Sequence, residues 1–216
     1  MTAFSGFEVR VLPGLVPYAE ALTLQHDLVE RRQAGRSSDT LLLLEHPPVI
    51  TLGRNALESG VLASPAALEA LGVEVHRIER GGQATWHGPG QIVGYPICDL
   101  HGLGLGVAKW VRALEEVMIR AAAALGVAAE RRPGITGVFS ERGKLGALGV
   151  RISRGISFHG FAFNVDPDLS HYRLIVPCGM AEMPMTSVAA ALGHAPPMDA
   201  ARRAVIDAFL EVVAGR

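Results

Sequence analysis

Twelve consecutive residues constrain this chain more than any others: Arg80-Gly81-Gly82-Gln83-Ala84-Thr85-Trp86-His87-Gly88-Pro89-Gly90-Gln91. Gly81-Gly82 lets the main chain take positive φ and approach a neighbour closely. Pro89 between two glycines locks the turn into the following strand. The remaining side chains are nearly all hydrogen-bonding or aromatic. A connection that only had to turn would not need them, so the block reads as a loop that holds a ligand.

The chain has 216 residues, 49% hydrophobic and 19% charged. That is enough for a sizeable core, predicts one domain over 1–216, and argues against disorder. A formal net charge of −1 provides no field for nucleic acid or an anionic membrane, and neither is expected as a partner. The first residues lack a basic region followed by an apolar one, and the apolar runs at 41–44 and 121–125 are too short for a bilayer. Two cysteines, Cys98 and Cys178, make no disulfide framework. The expected compartment is a reducing cytoplasm.

Periodicity predicts strands over 7–12, 40–44, 49–52, 73–78, 92–97, 137–140, 144–152 and 156–165. Helices are predicted from Pro17 to Ala34, between the Ser64 cap and Gly72, over 107–125, and over 199–214. In the long helix the apolar stripe runs through Val107, Val111, Leu114, Met118, Ala121 and Leu125. Strands in pairs with helices between them indicate α+β, a mixed β-sheet flanked by helices.

Several chemistries are excluded on inspection. Leu145 follows Gly143-Lys144 where a phosphate loop needs Ser or Thr, and no GxSxG elbow, HExxH or CxxC occurs. The eight histidines include His46, His87, His159 and His171 on separate segments, which does not make a metal site by spacing, and no metal or cofactor is expected. The remaining candidates are Cys178, between Pro177 and Gly179, and Lys144, which opens a glycine-rich strand. A thiol with an ordinary pKa of about 8.5 needs a nearby cation to be mostly thiolate at neutral pH. A buried structural cysteine and a solvated turn lysine are the ordinary alternatives for these two residues.

Together these segments resemble the lipoyl/octanoyl transferase family. The resemblance is carried by the 80–91 block, by Glu45-His46-Pro47-Pro48-Val49-Ile50-Thr51-Leu52-Gly53-Arg54, and by the 143–150 strand. It continues through Ser157-Phe158-His159-Gly160-Phe161-Ala162-Phe163-Asn164-Val165 and Ile175-Val176-Pro177-Cys178-Gly179, with Thr186-Ser187-Val188 after them. The matches keep family order, which makes them specific. Trp86 stands where the family more often has tyrosine, Met180 replaces a commoner isoleucine, and Gly155 a bulkier residue.

The resemblance implies a biotin/lipoate protein ligase catalytic-domain-like fold. It implies an octanoyl group taken from acyl carrier protein and placed on a lysine of lipoyl domains, those of 2-oxoacid dehydrogenase complexes and of the glycine-cleavage H protein. Cys178 would be the thioester nucleophile and Lys144 the residue that lowers its pKa. Arg80, Gly81, Gly82, Gln83, Ala84, Thr85, Trp86 and His87 would line the substrate pocket with Ala147, Leu148, Gly149, Gly160, Phe161 and Ala162. Two other readings stand beside this one: an ATP-dependent lipoate or biotin ligase, and a non-catalytic acyl-binding module.

Overall fold

A computed structural model describes residues 2–4, 6–176 and 183–215; of 2–4 only the backbone is considered. An eight-stranded sheet forms its centre, in the order β1 (Thr2–Phe4), β2 (Phe7–Leu15), β3 (Asp39–Glu45), β7 (Gln91–Asp99), β11 (Ile156–Asn164), β10 (Gly143–Ser153), β9 (Ile135–Ser140) and β8 (Glu130–Arg132). A second sheet has three strands in the order β5 (Glu74–Arg77), β4 (Val49–Leu52), β6 (Ala84–His87). Each sheet contains one parallel pair, β2–β3 and β4–β5. Each such pair is joined by a helix, α1 (Tyr18–Gln33) and α2 (Pro65–Ala70) respectively. A parallel pair requires such a crossover, whereas the sequential antiparallel pairs β1–β2, β8–β9, β9–β10 and β10–β11 close through short turns.

Helices cover both faces of the large sheet. α1 packs Ala21 and Leu28 with Val93, Tyr95, Ile97 and Phe158. On the other face α3 (Val107–Ala124) buries Trp110, Leu114, Val117, Met118 and Ala121 with Phe161, Phe163 and Leu145. α5 (Met198–Phe209) adds Val205 and Phe209 to that core. The buried stripe of α3 differs from the expected one: Val107 is 54% exposed and Trp110 is fully buried. The indole is the largest apolar group on the helix, and it sets which side faces the sheet.

The small sheet has its own core, in which Ile50, Leu52, Trp86, Leu68 and Val73 meet Tyr172 and Ile175. The block expected to be a loop through 91 contains β6, because Ala84–His87 pairs with Val49–Leu52. Among further elements that were not expected are β1, β8 and α4 (Val188–Leu192). The last of these is capped by the Ser187 hydroxyl, which accepts from the Ala190 N–H at 3.1 Å.

Candidate active site

A cavity of about 310 Å³ opens where the two sheets meet, at the small end of the range for small-molecule sites. Every residue expected in the pocket lines it except Gly81 and Trp86. Alternation along β6 turns Trp86 the other way, edge-on to Tyr172 at 5.5 Å and beside His171. Gly81 fastens the loop instead: its N–H donates to Val150 O of β10 at 3.0 Å. The apolar part of the lining includes Val93, Ile135, Leu148, Phe161 and Ala162. Tyr18, Tyr95, Thr136 and His159 also line it and were not assigned from sequence.

Lys144 lines the same cavity and is 2% exposed. Its Nζ donates to Thr136 O at 2.9 Å and lies 5.5 Å from the centre of the Phe139 ring, close enough for a cation–π contact. Gly137 makes room for its stem, since a Cβ there would sit 2.5 Å from Lys144 Cε. Burying an ammonium costs several kcal/mol even after relaxation. A turn lysine without a task would point into water.

A chain of buried polar groups crosses from the loop to the far side of the site. Arg80 Nη2 donates to Thr51 O and Oγ1, both at 2.8 Å. Gln91 Nε2 donates to Asn164 Oδ1 at 2.9 Å, which leaves Gln91 Oε1 to accept from His87 Nδ1–H at 2.7 Å. His87 Nε2 is then the acceptor, and the Thr51 hydroxyl donates to it at 3.4 Å. Asn164 Nδ2 donates in turn to Thr186 O at 2.9 Å. The network therefore fixes the His87 tautomer and ties the small sheet to the residues next to Lys144.

His159 sits in strained backbone, with φ +53 in the middle of β11. The adjacent central strand carries Pro96, which has no N–H to give the ladder. The β7–β11 pairing accordingly skips from Ser157↔Cys98 to Phe161↔Gly94. The His159 N–H donates instead to Gln25 Oε1 of α1 at 2.8 Å. In a regular strand, neighbouring side chains point to opposite faces. Here Phe158 and His159 stack at 4.9 Å on one face, and the His159 ring enters the cavity with neither nitrogen hydrogen-bonded among the described residues.

Burial lowers the pKa of three of these histidines from 6.5: His46 to about 4, His87 to about 3 and His159 to about 4. The neighbouring His46 lowers His87 further, while the Glu79 carboxylate partly offsets burial at His159. Burial outweighs the pull of the bond from His46 Nδ1–H to Val16 O at 2.6 Å, which favours the charged ring, and leaves Nε2 free to accept from the Tyr95 hydroxyl at 2.8 Å. In the unfolded chain each ring takes its proton near the ordinary value, so the stability they confer is complete above pH 6.5 and is lost as pH falls towards 4 and 3. The slope approaches about 1.4 kcal/mol per pH unit for each ring that stays neutral in the fold. The urea midpoint is expected to drop steeply below pH 6.5; a midpoint independent of pH there would contradict this.

Cys178 lies outside the described residues, as do Pro177, Gly179 and Met180. The described residues on either side are pinned. The Val176 N–H donates to Gly60 O at 2.8 Å, beside the small sheet. On the other side the Lys144 N–H donates to Pro184 O at 2.8 Å and the Thr186 N–H to Lys144 O at 2.9 Å. Lys144 thus pairs, through its backbone, with the residues that follow the cysteine. Among the described residues no group of His, Cys, Asp or Glu could hold a metal, and no helix is long and apolar enough to cross a membrane.

The lipoyl protein ligase A/B catalytic domain model matches residues 17–210 of the chain. An octanoyltransferase of Acidobacterium capsulatum is 50% identical over 188 residues, covering 81% of this chain and 76% of its own. One from Rubrobacter xylanophilus is 47% identical over 211 residues, covering 97% of this chain and 95% of its own. Among solved structures, a bipartite lipoate protein ligase from Thermoplasma acidophilum superposes with a TM-score of 0.76 at 18% identity, over 96% of this chain and 84% of that one. At that identity the likeness shows the fold alone.

Proposed function

We propose what the chain does from one premise: it belongs to the lipoyl protein ligase A/B catalytic domain family. It is an octanoyltransferase. It takes the octanoyl group from octanoyl-acyl carrier protein, holds it as a thioester on Cys178, and passes it to a lysine of a lipoyl domain. The acceptors are the lipoyl domains of 2-oxoacid dehydrogenase complexes and the glycine-cleavage H protein, and the whole of 1–216 works as one catalytic unit. The observation that carries this reading is the buried Lys144 ammonium in the cavity wall, on a strand paired with the residues after Cys178.

In the first step the Cys178 thiolate attacks the thioester carbon. The bond to the carrier's sulfur breaks, and that sulfur leaves as a thiol with a proton from the Lys144 ammonium, which becomes a neutral amine. In the second, the acceptor's neutral amine attacks the acyl-enzyme, an amide forms, and Cys178 departs as thiolate. Lys144 as ammonium stabilises the Cys178 thiolate before the first step; as the neutral amine left by that step it takes the proton the acceptor amine sheds, which restores the ammonium beside the departing thiolate. Thioester exchange is nearly isoenergetic and amide formation runs downhill, so ATP has no part. The apolar lining holds the acyl chain, and about six buried methylenes contribute roughly 5 kcal/mol.

Intact mass after incubation with octanoyl-carrier protein, without ATP, tests the reading. One octanoyl adduct is expected on the wild type, labile to hydroxylamine and absent from Cys178→Ala. Transfer that appears only with free octanoate and ATP would sink it in favour of a ligase.

A further inference from the structure

We propose that Glu115 is a positioning residue that acts on Lys144 through a single peptide group; this rests on the transferase reading above. The peptide is the one between Thr136 and Gly137. Its carbonyl oxygen accepts from Lys144 Nζ at 2.9 Å, and its N–H donates to Glu115 Oε1 at 3.0 Å. A buried carboxylate and a buried ammonium are thereby joined across one amide, each drawing the peptide dipole in the same sense. A hydrogen bond to a charged acceptor is roughly twice as strong as a neutral one, and polarising the amide strengthens the bond at its other end.

Glu115 is an unusual occupant of its place. It stands on α3 among Leu114, Met118 and Ala121, and its side chain is 1% exposed. Carboxylates are almost never this buried unless paired. Its Oε2 accepts from Arg112 at 2.8 Å and Arg131 at 3.1 Å, whose side chains are 60% and 31% exposed. The arginines offset the charge on the solvent side and leave Oε1 committed to the site side. Gly137 closes the arrangement. Its φ of +132 aims the peptide, and the space where its Cβ would be is filled by the Lys144 stem. With Thr136 O fixed in this way, the ammonium has one preferred place in the cavity wall.

Two substitutions test this. Glu115→Leu removes the acceptor. Glu115→Gln leaves one oxygen where two are used, so it cannot serve both Gly137 and the arginines. Three quantities are read on each: the rate of octanoyl-Cys178 formation, KM for the octanoyl carrier, and the pH midpoint of Cys178 alkylation by iodoacetamide, with thermal melting to confirm folding. Acylation is expected to slow about 10²-fold in Glu115→Leu, as misplacement of a reacting group does, and by a smaller factor in Glu115→Gln. The alkylation midpoint moves to higher pH in both, because a displaced cation stabilises the thiolate less. KM stays at the wild-type value, since the acyl slot is untouched. Arg131→Gln, which loosens only the surface side of the cluster, leaves rate and midpoint unchanged. A folded Glu115 variant with wild-type rate and midpoint overturns the inference alone, and so does an Arg131→Gln that matches Glu115→Leu. A wild type that takes no octanoyl adduct overturns it together with the transferase reading.

Discussion

Lys144→Met is expected to fold like the wild type and to transfer octanoyl groups at least about 10³-fold more slowly, within the range that positioned proton-transfer groups contribute. The stability half of this follows from burial. The side chain is 2% exposed, and its stem runs against Gly137. Methionine nearly matches that shape without carrying an ammonium out of water. The variant loses the bond to Thr136 O but escapes the desolvation cost of the charge, so the net change in stability is within roughly 1 kcal/mol. The activity half follows from the thiolate. Without a cation beside it, a thiol of ordinary pKa is only a few per cent ionised at neutral pH. Lys144→Arg is not expected to restore the rate, because the Gly137 gap fits a slender methylene stem and not a planar guanidinium. Single-turnover acyl transfer and a thermal melt decide the matter. A folded Lys144→Met within tenfold of wild type would remove Lys144 from the chemistry.

The residues that made this site legible in sequence are those whose backbone is special. Gly81-Gly82, Gly149 and Gly160 mark places where chains pass close together, and a glycine reports this whatever its distant partners are. The fold class was readable for a similar reason, since strand and helix periods are local. What escaped the sequence depends on long-range pairing. Ala84–His87 becomes a strand only because Val49–Leu52 lies beside it. The turn of His159 into the cavity needs Pro96 opposite it in the sheet, sixty-odd residues away. Glu115 interrupts an apolar stripe and so resembles a surface residue until Gly137 is placed over it. Trp86 errs in the other direction: it sits inside the motif, yet strand alternation directs it into the small core. Membership of a motif therefore located the cavity, while the pairing of β6 turned Trp86 away from it.

That distinction yields the second large effect, at Gly149. This glycine lies in β10 directly beneath the loop, and a Cβ there would stand 2.6 Å from Gly81 O and 3.1 Å from Arg80 Cδ. The first of these atoms is backbone, so the loop itself must lift. Lifting it breaks the Gly81 N–H bond to Val150 O and drags Arg80, which donates to Thr51. Gly149→Ala is expected to cost about 1–3 kcal/mol of stability through overpacking and the lost bond. It should also cut kcat/KM for the octanoyl carrier about 10²-fold, as displaced positioning groups do. Most of that loss belongs in KM, because the cavity wall moves while Lys144, five residues earlier on β10, keeps its bond to Thr136. Gly106→Ala is the control: a Cβ there meets nothing within 4 Å, and its kinetics should match the wild type. If Gly149→Ala bound and turned over the carrier as the wild type does, the loop would not be docked on β10 during the reaction. The cavity of the free protein would then differ from the one that holds the acyl chain.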